Sequence, residues 1–202
     1  MKILNDEQGS EAWHRSRIGV ITATRMGMIT TSTGLWSKQA EGCIADIVDE
    51  MVHDAPAPEG YISDAMQHGN LYEPLARQTY AFDKDVTVQT AGLCLHNDWP
   101  IGFSPDGLIG DNGGLEIKCP KGKTHQNYCI EGKLPTNYKV QVMMALWISE
   151  REWWDFYSFQ PFYAEQFCLR VYRDEKLISA LRENALHAME LIAARYERFS
   201  KK

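Results

Sequence analysis

Gly110-Asp111-Asn112-Gly113-Gly114 is a dense turn signal with apolar residues on both sides, and it reads as the turn of a β-hairpin. The arms of that hairpin carry charge. Asp106 lies on one side, and Glu116 and Lys118 follow on the other. Glu116 and Lys118 alternate with Leu115 and Ile117, so in a strand both polar side chains leave one face. A two-residue Asn112-Gly113 turn would send Asp106 to the opposite face. A three-residue Asp111-Asn112-Gly113 loop pairs Gly110 with Gly114 and sets Asp106 across from Lys118, with Gly113 as the left-handed residue. The odd-length loop, or a bulge, is the expectation, because it lets Asp106, Glu116 and Lys118 converge.

Each half has a plainer reading when taken alone. Ser104-Pro105-Asp106-Gly107 is an ordinary type I turn, and Glu116-Ile117-Lys118 is an ordinary strand with a solvated face. Together they put two carboxylates and an ammonium on one buried face, which is costly unless a divalent cation is held there.

The 202 residues suit one domain, 1–202, of ordinary globular composition. No apolar run approaches a membrane span, and Met1 to Glu7 has no signal-peptide core. Cysteines 43, 94, 119, 129 and 168 include no Cys-x-x-Cys pair, so reduced thiols in a cytoplasm are expected. The formal charge of −6 counts against nucleic-acid binding, although a surface can be locally basic within an acidic chain.

Arg17 lies near Thr22 and Thr24, a combination that suits phosphate, while either threonine also suits a helix N-cap. Apolar spacing predicts helices over 37–53, 63–82, 138–149 and 174–199, and strands at 86–88, 93–95, 101–104, 153–160 and 166–172. A breaker loop is expected from Asp54 to Gly60. Pro74 should kink the second helix or begin a new one, which holds Glu73 at an irregular point; pairing of Glu73 with Arg77 on a surface is the alternative. Lys121-Gly122-Lys123-Thr124-His125 reads as a basic loop, either solvated or set against a phosphate backbone.

Five motifs occur in order: Trp13-His14-x-x-Arg17-x-Gly19-Val20-Ile21-Thr22-Ala23-Thr24, Gly69-x-x-Tyr72-Glu73-x-x-Ala76-Arg77, Ser104-Pro105-Asp106-Gly107-Leu108, Gly114-Leu115-Glu116-Ile117-Lys118-Cys119-Pro120 and Gln141-Val142-x-x-x-x-Trp147. Together they resemble the lambda-exonuclease-type phage recombination nucleases, within the restriction-endonuclease-like superfamily. The resemblance implies an α/β fold with a mixed central β-sheet flanked by helices. It implies a homotrimer ring around DNA that degrades one strand of a duplex from a 5′-phosphorylated end. The 3′ tails would pass to a single-strand annealing protein, in the cytoplasm of a bacterial host.

Carried onto this chain, the resemblance gives Asp106, Glu116, the Ile117 carbonyl and Glu73 as Mg²⁺ ligands, for two ions per site with Mn²⁺ as a substitute. Lys118 would orient or deprotonate the attacking water. Arg17, Thr22, Thr24, Ser104 and Gln141 would hold the terminal phosphate. Met66 falls where the family places a strand-parting wedge, against core packing as its local reading. Lys121, Lys123 and His125 depart from the family pattern, as do a shorter N-terminus and a shorter loop at 26–37. The rivals are an endonuclease or repair nuclease with the same metal site, and an inactive DNA-end or annealing-partner binding module.

Overall fold

The hairpin forms between β6 (Gly107–Ile109) and β7 (Gly113–Lys118), with Leu108 opposite Gly114 and Ile109 opposite Gly113. The loop has the odd length expected, but it is Gly110-Asp111-Asn112, one residue earlier than the sequence suggested. Gly110, at φ +50°, takes the left-handed position assigned to Gly113. Continued one step, this register sets Asp106 across from Glu116 rather than Lys118. A shift of two positions keeps every side chain on its face, so the convergence survives the error.

The reason lies in the next strand. β8 (Trp153–Ser158) pairs in parallel with β7, with Trp153 beside Gly113 and Trp154 beside Gly114. A Cβ at either glycine would overlap the neighbouring indole ring, so both positions belong in the strand as close-approach glycines. Arg151 closes the turn from outside, donating from Nη1 to the carbonyls of Ile109, Gly110 and Gly113 at 3.2, 2.7 and 2.6 Å.

The structure is a computed structural model that describes residues 1–57 and 63–200. Ahead of the hairpin come β1 (Lys2–Leu4), α1 (Glu11–Ser16), β2 (Ile21–Thr22), α2 (Ala23–Ile29), α3 (Ala40–His53), α4 (Asp64–Lys84), β3 (Val88–Gln89), β4 (Leu93–Leu95) and β5 (Ile101–Phe103). After β7 come α5 (Gly122–Glu131), α6 (Lys139–Ser149), then β8, β9 (Phe167–Tyr172) and α7 (Glu175–Phe199). The breaker loop expected from Asp54 to Gly60 lies partly outside the described residues.

The fold is mixed α/β, with the strands divided into two sheets rather than one. Their orders are β1-β4-β5-β2 and β3-β6-β7-β8-β9. Each is mixed: β2 runs parallel to β5 in the first, and β7 parallel to β8 in the second. The chain crosses between them at Ser104-Pro105-Asp106, where Pro105 has no amide to continue a ladder. Asp106 is therefore placed at the seam.

Helices α2, α3, α6 and α7 share the larger core with the first sheet, through Met26, Ile44, Ile47, Ile101, Met143, Leu146 and Leu181, all within 2% of full burial. Each such side chain contributes about 1.5–3 kcal/mol relative to exposure. The apolar stripe of α3 faces this core, with Ala40, Cys43, Ile44, Ile47 and Val48 buried and Met51 partly buried against it. Helix α4 packs on the second sheet through Ala76 and Tyr80, against Leu115, Ile117 and Tyr157. It is one 21-residue helix with Pro74 inside it, so the proline does not begin a new one.

The basic loop expected at 121–125 is instead the start of α5. Burial overrides its weak local signal: His125 is fully buried and accepts or donates at both ring nitrogens, to Ser158 Oγ (2.8 Å) and the Glu165 carbonyl (2.9 Å). Among the described residues no helix is long and apolar enough to cross a membrane, and all five cysteines are free.

Candidate active site

The seam residue and the hairpin strand fix one another. The Ile117 amide donates to Asp106 Oδ2 at 2.6 Å, which locks the carboxylate against β7. From α4, Arg77 donates through Nε to the Asp106 carbonyl (2.7 Å) and through Nη2 to Glu73 Oε1 (2.5 Å). The Glu73–Arg77 pairing, the alternative reading of Glu73, is present, but it is partly buried and tied to the seam rather than on a surface. On β7, Lys118 Nζ lies 2.5 Å from Glu116 Oε1, and Gln141 Nε2, from the first turn of α6, donates to the same oxygen at 2.8 Å. The Tyr138 ring sits beneath the Lys118 ammonium at 5.2 Å.

The charges do not balance. Glu116 is 3% exposed. Its burial, with Asp106 and Glu73 nearby and against the pull of Lys118, pushes its carboxyl up to about 7. Burial also raises Asp106, although Lys118, the Ile117 amide and Arg77 oppose the shift. Glu73 is raised as well, first by burial and then by Asp106. Burial works against charge on Lys118, but Glu116 and Asp106 outweigh it and hold the ammonium well above its usual range. Three carboxylates thus compete for two cationic side chains.

Two clefts open on this cluster. One, of about 590 Å³, is lined by Met66, Asn70, Glu73, Ile117, Lys118, Lys121, Tyr128 and Tyr138. The other, of about 800 Å³, is lined by Gln8, Asn70, Glu73, Arg77, Pro105 and Asp106. Asn70 and Glu73 belong to both, so one turn of α4 forms the partition between them.

Of the residues assigned to phosphate, some gather and some do not. The Arg17 guanidinium stacks 4.0 Å over the Trp13 ring, and Trp13 Nε1 donates to Ser104 Oγ at 3.0 Å. Trp13, a helix residue with no predicted role, therefore bridges two residues that have one. Thr22 is buried and caps α2, accepting from the Arg25 amide at 3.4 Å; this is the capping alternative. Thr24 is exposed in the first turn of α2. Gln141 points at Glu116. Met66 is 55% exposed on the cleft wall, so core packing does not describe it. Lys121 stands at the same cleft, whereas Lys123 is exposed but not part of its lining.

Asp106, partly buried, and Glu116, buried, supply hard carboxyl oxygens with too little positive charge around them, a donor set suited to a divalent cation. Glu73 does not close with them into a three-carboxylate nest: no such group able to hold a metal by itself occurs among the described residues. Arg77 engages its carboxylate instead. Arg77 and Tyr138 were legible only as an ion-pair partner and a helix start, because their roles depend on elements far away in sequence.

Residues 12–152 match the YqaJ-like viral recombinase domain, and the chain belongs to that family. It is similar to the alkaline exonuclease LHK-Exo of Laribacter hongkongensis, at 30% identity and a TM-score of 0.85, over 94% of this chain and 95% of that one. The same exonuclease in complex with dAMP aligns at 28% identity and a TM-score of 0.84, with the same coverage. A phage-related exonuclease of Haemophilus somnus 129PT, 12% identical over 90% of this chain and 96% of that one, shares the fold at a TM-score of 0.70. No curated protein is matched by sequence. The chain is thus an alkaline-exonuclease-like nuclease of phage-type recombination.

Proposed function

We propose that this nuclease is a Mg²⁺-dependent exonuclease that degrades one strand of duplex DNA in the 5′-to-3′ direction from a 5′-phosphorylated end. It leaves 3′ single-stranded tails for an annealing protein, and it works as a ring of three copies in a bacterial cytoplasm. The observation that carries this reading is the meeting of Asp106, Glu116 and Lys118 at one point, with Glu73 on the cleft wall.

Asp106, Glu116 and the Ile117 carbonyl would hold the ion, with Glu73 serving a second one. When bound, the metal activates water and offsets charge on the phosphate. Lys118 is held as an ammonium, which supports a role in orienting water and steadying negative charge over one in removing a proton. Arg77 keeps Asp106 and Glu73 in place. Arg17 and Ser104, joined through Trp13, supply a charged fork and a hydroxyl for the end phosphate, with Thr22, Thr24 and Gln141 as further candidates. Lys121 and Met66 line the approach, and Lys123 lies farther out. The dAMP bound by the similar Laribacter enzyme has the chemical form of a released 5′-mononucleotide, which supports the substrate class. An exposed apolar stripe on α4 (Leu71, Leu75 and Phe82) offers a surface for assembly.

Linear duplex with and without a 5′-phosphate, and closed circular duplex, are incubated with Mg²⁺ or a chelator and the products identified. Mononucleotides from linear DNA only, faster from phosphorylated ends and stopped by chelation, are expected. Cleavage of closed circles would replace the reading with an endonuclease, and binding without turnover would replace it with a docking module.

A further inference from the structure

Glu116 Oε1 is crowded, since both Lys118 Nζ and Gln141 Nε2 are directed at it. A carboxylate oxygen accepts through two lone pairs, so a cation that uses this oxygen must displace a donor. The two donors differ in how firmly they are held. Lys118 comes from the same strand face, and its ammonium is flanked by the Tyr138 ring. Gln141 is an uncharged, half-buried amide reaching over from α6. It is the one that can leave, provided another acceptor is near. A phosphate group brings several charged oxygens at once.

We infer that Gln141 is a positioning residue that couples phosphate binding to cation binding. A phosphate in the site draws the Gln141 amide away from Glu116, and Oε1 becomes available to the ion. The inference rests on the reading above, in which the substrate is a phosphorylated DNA end and the cofactor a divalent cation. Coupling of this kind is reciprocal: whatever factor the phosphate gives the ion, the ion gives the phosphate.

The test is calorimetric titration of Ca²⁺ into the full chain with a hairpin duplex that ends in either 5′-phosphate or 5′-hydroxyl, with gels confirming that the DNA stays intact. Ca²⁺ should bind about five-fold or more tightly beside the phosphorylated end. The phosphorylated duplex should gain the same factor from Ca²⁺. Gln141→Ala removes the competing donor, so Ca²⁺ should bind it equally with both ends, at the level the wild type reaches only with phosphate. A purely structural role for Gln141 would instead weaken Ca²⁺ binding with both ends.

Equal Ca²⁺ affinity for the two ends in the wild type overturns the coupling without relying on any variant. Mg²⁺-dependent digestion of linear duplex is run alongside. If digestion is intact and the affinities are equal, only the coupling falls; if digestion is absent, the nuclease reading falls and takes the coupling with it.

Discussion

Glu116 and Asp155 are equally deep, at 3% and 2% exposed, and stand on adjacent parallel strands. Asp155 is closed in. Arg170 binds it in a fork, through Nε to Oδ1 at 2.9 Å and Nη2 to Oδ2 at 3.0 Å, and the Tyr80 hydroxyl donates to Oδ2 at 2.6 Å. Trp153 covers the guanidinium at 3.6 Å. Glu116 has Lys118 and Gln141 on one oxygen and two more carboxylates in its field. A buried carboxylate with matched donors is a fastening. Glu116, surrounded by its own kind, is left short of positive charge.

The two carboxylates should differ most in what substitution around Glu116 does to activity. Asp106→Ala and Lys118→Ala should each cut Mg²⁺-dependent DNA degradation by about a hundred-fold or more while circular dichroism stays native. A variant that still turns over DNA at wild-type rates would end the distinction. Asp155→Ala should do the reverse. It strands Arg170 and Tyr80 and should cost about 3 kcal/mol in chemical denaturation, leaving Ca²⁺ affinity unchanged.

A subtler difference is set by pH. The Glu116 carboxyl lies at about 7 when folded, against 4.5 for the free group. Folding is therefore favoured below about 4.5, and this advantage is lost as pH rises through about 7. Glu116→Gln carries no charge to bury, so in chelator at pH 8 it should be more stable than wild type by about 3 kcal/mol. The gain should vanish at acid pH, and equal melting at both pH values would refute it. Since the ion needs the deprotonated carboxylate, metal affinity should also rise with pH through this range. The smallest effect should come from Lys123→Ala, which lies off the cleft and should change the degradation rate less than two-fold in a steady-state assay, less than Lys121→Ala.

The sequence showed the site's face but not its register. Alternation of Glu116 with Ile117, opposite a turn of odd length, was enough to bring three charges together, because face depends only on parity. Which glycine turned left could not be read from Asn112-Gly113-Gly114, since the deciding contact is with Trp153 and Trp154, about forty residues away. For the same reason the 121–125 stretch looked like a loop: His125 becomes a helix anchor only once Ser158 and Glu165 are beside it. Periodicity revealed α3 and α7 because a single apolar stripe defines each of them. The division of the sheet at Pro105 was not foreseen, although the missing amide was visible in the sequence.

The pairing of glycines with indoles across β7 and β8 has a consequence for how this protein can vary. Neither Gly113 nor Trp153, nor Gly114 nor Trp154, is free to drift alone. A descendant that enlarges one glycine must shrink the facing ring in the same lineage, or lose the strand that carries its carboxylate and lysine. Tandem substitution at these positions is therefore the mark to look for in relatives that have kept the site but remodelled the sheet.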